Sequence, residues 1–268
     1  MSMTAVYGDV REMLAEQVRY RELLLQMTRR DLLLRYKQTI MGFGWAVFMP
    51  LLNTAIFSVI FTRVAPIQTP VAYPLFAYSG LLAWNFFASS LRFSVGSLTT
   101  NTNLVTKVYF PREIFPFSAV IVCLIDAVVG AVVLVGLMVY YHVPVGPALL
   151  FVPVVVAVHV VFTAAVALWI AMANLFFRDV KYLFEIVISV WMFMTSVLYP
   201  VQLFGGRLRL ALELNPLTPI IDGYRATILL GRLPEAGPFA AAAGLSVALL
   251  GVSWLAFHRA EFAFAERA

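Results

Sequence analysis

The sequence predicts an all-α membrane protein: six transmembrane helices, an N-terminal amphipathic interfacial helix, re-entrant outer helices between spans five and six, and both termini in the cytoplasm. Three observations carry this prediction. The chain of 268 residues is 62% hydrophobic and only 12% charged, whereas about a quarter of the residues in a soluble domain carry charge. Disorder is excluded by the same balance, because few apolar residues and many charges are what keep a chain unfolded. Its apolar residues fall in long charge-free runs rather than in the short alternating segments of a membrane β-barrel. Finally, its 19 Lys and Arg residues are distributed unequally among the connections. In a membrane chain the net charge of +5 reports orientation before any polyanionic partner, and no nucleic-acid ligand is expected.

A helix crossing about 30 Å of hydrocarbon needs about 20 mostly apolar residues. A first span is predicted near Ile40–Phe61, between Lys37 and Arg63, and a second near Tyr73–Leu91, between Arg63 and Arg92. The third, Phe117–Tyr140, contains one acid, Asp126. No charged residue occurs from Ala127 to Phe177. That stretch is too long for one helix, and the breaker Tyr141-His-Val-Pro-Val-Gly-Pro147 divides it, giving span four near Leu149–Leu175. Span five fits residues 183–199 and span six Phe239–Phe257. Backbone groups in lipid must be satisfied within their own segment, so these runs are helices. The charged first 38 residues and the full spanning length of the first apolar run argue against a cleaved secretory signal.

With six spans both ends share one side. That side collects seven basic residues before span one, three in 92–116, two in 176–182 and two after His258; the opposite side holds Arg63, Arg207, Arg209, Arg225 and Arg232. Fourteen against five places both termini in the cytoplasm. The basic outer segment after Tyr199 runs against the rule and needs a reason of its own.

Residues 1–38 form the predicted interfacial helix and 39–268 the membrane domain. In the former, Val10, Met13, Leu14 and Val18, continued by Tyr20, Leu23, Leu24 and Met27, line one face, with Arg11, Arg19, Arg29 and Arg30 opposite. Such a helix lies in the cytoplasmic interface, either as a simple anchoring collar or with its arginines on anionic headgroups. The connection 101–116 holds a short helix that Asn101 or Asn103 caps and Pro111 stops; Pro111 then opens the next helix, with Glu113 near its positive end. It displays Leu104, Lys107, Tyr109 and Phe110 as a knuckle. Exposed apolar and aromatic side chains there suit docking into a groove on another protein; the plainer alternative is a tight connection beneath the bilayer. Between residues 200 and 235 the runs Leu208–Leu214 and Ile220–Leu230 are too short to cross and are broken by Gly and Pro. They read as re-entrant or interfacial outer helices, natural material for a gate.

Site chemistry is sparse. No Gly-x-x-x-x-Gly-Lys-[Ser/Thr] occurs, and no domain-sized soluble segment remains to hold one, so any nucleotide-driven work must come from a partner. His142, His159 and His258 lie in separate segments without metal-ligand spacing, the single Cys123 has no internal disulfide partner, and no Gly-x-Ser-x-Gly elbow is present. Asp126 and His159 sit at membrane depth, as a proton relay or as packing contacts satisfied by neighbouring helices. Among the aromatics, 14% of the chain, Trp45, Phe48 and Phe57 of span one and Phe184, Trp191, Phe193 and Tyr199 of span five can line a conduit. Aromatic faces stack on sugar rings without reading each hydroxyl. They can equally serve as interfacial anchors.

Four patches carry a family resemblance: Arg30-Asp31 with Arg35-Tyr36-Lys37-Gln38-Thr39, Gly42, Trp45 and Pro50; Leu104-Val-Thr-Lys-Val-Tyr-Phe-Pro-Arg112; Asn174-Leu-Phe-Phe-Arg-Asp-Val180; and Leu214-Asn-Pro-Leu-Thr218 with Gly223-Tyr-Arg225. In order and spacing the chain resembles the permease subunits of ABC-2 type exporters of polysaccharides and polyol phosphates, those of O-antigen and teichoic acid. The resemblance implies a homodimer of permeases with two copies of a separate ATPase subunit, which binds ATP and Mg. It implies no cofactor and no catalysis in this chain, and a place in the bacterial cytoplasmic (inner) membrane among its lipids. It assigns Leu104, Lys107, Tyr109, Phe110, Arg112 and Glu113 to ATPase coupling, the aromatics of spans one and five to the conduit, and Pro216, Tyr224 and Arg225 to the outer gate. Arg30, Arg35 and Lys37 stand at the cytoplasmic entrance, where they attract the pyrophosphate of an undecaprenyl-linked glycan or simply hold the segment inside. Competing readings are an ABC-2 exporter of a drug or small lipid, a membrane-embedded transferase or phosphatase, and a structural scaffold.

Overall fold

A computed structural model describes residues 13, 15–37, 40–42, 44–102, 104 and 110–267, the side chains of 208, 262, 263 and 265–267 excepted. Every regular element among the described residues is helical. In chain order these are α1 (Arg21–Tyr36), α2 (Gly44–Val59, prolonged by a π turn Ile60–Val64), α3 (Tyr73–Ser97), α4 (Ile114–Tyr140), α5 (Val152–Phe176), α6 (Val180–Phe193), α7 (Gly206–Leu214), α8 (Leu217–Tyr224, prolonged by a π turn Arg225–Leu229) and α9 (Ala236–Arg267).

Among the described residues, four segments are long and apolar enough to cross a membrane: Gly44–Val64, Ile114–Tyr140, Pro147–Phe176 and Ala236–Glu261. The other two predicted spans fall short for different reasons. At 25 residues, α3 is about 37 Å long at about 1.5 Å per residue, long enough to cross. It is the central helix of the bundle, packed on α2, α4, α5 and α6, and a helix covered by protein need not be apolar on every face. Its buried Ser79 and Ser90 give their hydroxyl hydrogens to the Phe76 and Phe86 carbonyls at 2.9 and 2.7 Å. By contrast α6 has only 14 residues; the chain leaves helical form at Met194 and continues as turns to Pro200.

Pro and Gly punctuate the helices as expected. Pro74 and Pro153 occupy first-turn positions of α3 and α5, where the missing N–H costs nothing. The breaker before α5 turns at His142, a non-glycine residue with φ of 54°, and re-enters through a 3-10 turn, Pro147–Phe151. The core centres on the Phe87, Phe162, Ile188 and Ile221 side chains of α3, α5, α6 and α8. A second cluster, of Leu98, Phe110, Phe115, Leu175, Phe257 and Phe264, closes the end of the bundle where α1 docks through Tyr20, Leu23, Leu24 and Met27. The apolar face predicted for the N-terminal helix therefore packs in part on the bundle itself. Val18, assigned to the same face, is exposed, and Val10 and Leu14 lie outside the described residues.

Candidate functional site

Three polar constellations stand out against the apolar bundle. The first joins α1 to α4. Arg30 pairs with its neighbour Asp31 at 2.8 Å, and Asp31 accepts a hydrogen bond from Ser118 of α4 at 2.9 Å. One turn on, Arg35 Nη1 lies 2.5 Å from Asp126, its guanidinium stacks 4.3 Å from the Phe93 ring, and Tyr36 donates its hydroxyl to the same carboxylate. Burial, then the adjoining Asp126 carboxylate, push the Tyr36 phenol up from its ordinary pKa, which keeps it a donor. Asp126 is thus satisfied by an arginine and a hydroxyl of α1. Of the three basic residues assigned to the entrance, Arg35 is committed to Asp126, Arg30 to Asp31, and Lys37 is exposed.

Arg35, Tyr36 and Asp126 form one wall of a cavity of about 400 Å³ whose other walls come from α2, α3 and α4 and include Trp45, Asn53, Asn85, Ser89 and Phe86. Pockets of about 300–1,000 Å³ hold small ligands. Of the span-one aromatics, Trp45 borders this cavity, Phe48 is exposed at 43%, and Phe57 stacks on Phe61 at 6.3 Å. The span-five aromatics divide. Phe193 is 61% exposed and Phe184 is buried; Trp191 packs edge-on against Phe87 at 5.1 Å and Phe162 at 6.4 Å; Tyr199 meets Phe204 at 5.0 Å. Of these seven aromatics, Trp45, Phe48 and Phe193 are exposed, while Phe184 and Trp191 pack into the bundle core.

The second constellation is built on Arg225, 4% exposed. Its guanidinium donates to the carbonyls of Ser196 and Val197, the latter at 2.6 Å, reaches the Phe76 carbonyl at 3.4 Å, and pairs with Asp222 at 3.1 Å. The carbon of the guanidinium sits 3.6 Å from the centre of the Phe76 ring. The carbonyls captured are those the chain exposes where α6 ends, and Tyr73 takes the next one, Leu198, at 3.0 Å. Gly80 makes room: a Cβ there would meet the Val197 oxygen and lie 2.5 Å from Arg225 Nη2. Asn215 completes the seal. It donates to the Met194 carbonyl at 2.8 Å, accepts from Trp191 Nε1 at 3.2 Å, and accepts the Leu217 N–H at 3.2 Å at the start of α8, just after Pro216. Tyr224, beside Arg225, lies 3.4 Å from His159 Nδ1 at the centre of the bundle. Arg225, which ran against the charge rule, thus has a backbone-capping role. Arg209 pairs with Glu213 at 2.7 Å.

The third constellation lies where α4 begins. Lys107 and Tyr109 lie outside the described residues. Leu104 is half-buried, and Asn101 closes the preceding turn by donating to the Ser97 carbonyl at 2.8 Å. Phe110 departs from the expected display on the surface. It is 3% exposed and meets Phe115 at 5.5 Å, because Pro111 turns its ring inward onto the Phe257 and Phe264 cluster. Arg112 and Glu113 turn inward too, to Glu261 and Trp254 of α9.

The four sequence patches thus have structural content: Arg35-Tyr36 on Asp126, Arg112 on Glu261, Asn174 donating to the Val95 carbonyl at 2.8 Å, and Asn215 with Arg225 closing the end of α6. Sequence reasoning missed Gly80, Asp222, Trp254, His258 and Glu261. Only Asp222 left a local signal, its i,i+3 spacing to Arg225.

A helical bundle with membrane-length apolar helices is the build of an integral membrane protein. The pattern defining the ABC-2 type transporter family matches residues 22–229, and the chain belongs to that family. It is 33% identical over 254 residues to the O-antigen export system permease protein RfbA of Myxococcus xanthus, covering 94% of this chain and 97% of that protein. An O-antigen export system permease protein RfbA of Klebsiella pneumoniae is 31% identical over 252 residues, 91% of this chain and 94% of that protein. A second Klebsiella pneumoniae protein of that name is 30% identical over 221 residues, 79% and 82% of the two chains.

Proposed function

We propose that this chain is the membrane-spanning permease of an ATP-driven exporter that moves a lipid-linked cell-envelope polysaccharide, of the O-antigen kind, across the bacterial inner membrane. The observation that carries this reading is near full-length similarity to O-antigen permeases. Two permeases pair, and two separate ATPase subunits supply the work. Each permease crosses six times, with α3 and α6 joining the four apolar segments, and keeps both termini in the cytoplasm. The connection before α4 docks the ATPase, with Lys107 and Tyr109 as its contact residues. Segment 200–235 forms the outer gate: α7 and α8 are far too short to cross about 30 Å, and Arg225 and Asn215 hold them against the end of α6.

ATP binding brings the two ATPase halves together, pushes on the connection before α4, and rearranges α2 and α6 of both permeases. Their exposed Trp45, Phe48 and Phe193 faces then meet the passing glycan. Reconstituting the chain with its ATPase partner and measuring ATP hydrolysis tests the reading. An undecaprenyl-linked glycan is expected to stimulate turnover; stimulation by hydrophobic drugs and not by the glycan would overturn it.

A further inference from the structure

The start of α4 is tied to the end of α9 by contacts that no local rule requires. Glu261 Oε1 accepts the Arg112 backbone N–H at 2.9 Å, the Arg112 guanidinium donates to the Glu261 carbonyl at 2.7 Å, and the two charges lie 3.6 Å apart. These partners are 149 residues apart in the chain. Next to Arg112, Glu113 is fully buried and accepts Trp254 Nε1–H from α9 at 3.0 Å. His258 Nδ1 stands 3.8 Å from both carboxylates. A carboxylate that stays buried without its donors is costly, so as long as this end remains packed the two elements keep their contacts. The rings of Phe110, Phe115, Phe257 and Phe264 pack around the tie.

The other end of α9 reaches the outer hairpin. At 32 residues this helix is about 48 Å long, one unbroken rod. Its first turns carry Phe239, 7% exposed, whose ring packs 3.4 Å from where a Cβ on Gly223 would lie, near the end of α8. Only residues 230–235 separate α9 from the π turn that holds Arg225.

We infer that α9 is a mechanical link between the ATPase-docking connection and the outer gate, with Arg112, Glu113, Trp254 and Glu261 as the positioning residues that fasten it. A push on the connection moves Arg112 and Glu113. The tie passes that displacement to α9, and the rod delivers it to α8 and the Arg225 seal. Spans three and six then move as one unit, and the gate responds to the nucleotide state without a separate signal. The inference rests on the coupling and gate assignments of the proposed function.

A single reporter tests it. The native Cys123 is buried; in a Cys123→Ser background, Leu210→Cys places one thiol on exposed α7. The permease–ATPase complex in lipid nanodiscs is labelled with a water-soluble maleimide, with and without Mg-ATP. Allosteric couplings amount to about 5- to 150-fold, so Mg-ATP is expected to change the labelling rate at least about fivefold. Adding Glu261→Ala, which removes the acceptor of the Arg112 N–H and the partner charge, should bring that ratio down towards one while ATP hydrolysis continues; a merely structural role for Glu261 would leave the ratio as it was. Trp254→Phe, which keeps the ring and removes only its donor, should lower the ratio in part, and it carries the test should the Glu261 variant fail to assemble. An undiminished response in the variants overturns the link. A parent whose labelling ignores ATP overturns the gate assignment and the link with it.

Discussion

Replacing Arg225 by Met should unfasten the outer hairpin while leaving the bundle's apolar packing nearly intact. The side chain is 5% exposed and donates to the Ser196 and Val197 carbonyls and to Asp222. Methionine fills much of the same volume and supplies no donor, so those backbone acceptors lose their partners. Hydrogen bonds to charged groups are worth about 1.5–3 kcal/mol each, and removing one partner of a buried ion pair costs about 3–5 kcal/mol. The Asp222 carboxylate is 40% exposed, so its share is screened and the carbonyls dominate. A loss of about 3–5 kcal/mol follows. At about 2–4 °C per kcal/mol for chains of roughly this size, the apparent Tm in nanodiscs should fall by about 6–20 °C, and limited proteolysis should cut first within 200–235. Arg225→Lys should lie between, since an ammonium cannot fork to several carbonyls. A Met variant that melts with the parent and resists protease equally would refute the capping role.

Gly80→Ala should act on the same contact: its Cβ meets Arg225 Nη2 at 2.5 Å, overpacking costs about 1–3 kcal/mol, and in the Arg225→Met background thermal melts should show a smaller penalty. Arg35→Gln or Asp126→Asn alone leaves its partner uncompensated, so each single variant should melt earlier than the double variant, by about 1–3 kcal/mol given partial exposure. Lys107→Ala with Tyr109→Ala should abolish surface polysaccharide while the permease still inserts, read by surface immunostaining alongside membrane immunoblots; wild-type display would remove these residues from ATPase docking. Asn215→Leu withdraws the caps on Met194 and Leu217 and should cost about 1–3 kcal/mol, with proteolysis again starting in the outer segment.

Much of this fold is legible in the sequence because lipid imposes long charge-free runs. The breaker at Tyr141–Pro147, the long third apolar helix and the short helices α7 and α8 fall where composition and Pro and Gly place them. Composition reads less well where protein replaces lipid. Ser79 and Ser90 lower the apolarity of α3, and its own carbonyls satisfy them. Arg225 reads as a misplaced charge until the carbonyls at the end of α6 are seen around it. Arg112 and Glu261 carry no pattern at all, since 149 residues of chain separate two groups that only the packing of α4 on α9 brings together. Phe110 reads as an exposed anchor for the same reason: one-dimensional spacing does not say which way Pro111 turns the chain.

The central claim is that this permease owns no motor and moves a glycan only with its ATPase. The direct measurement is glycan entry into the lumen of liposomes holding the permease–ATPase complex with the ATPase facing outward. The account predicts that an undecaprenyl-linked glycan becomes protected from added glycosidase only when Mg-ATP is present, and never with the permease alone. Protection at full rate without the ATPase, or steady ATP hydrolysis with no protected glycan, would contradict it.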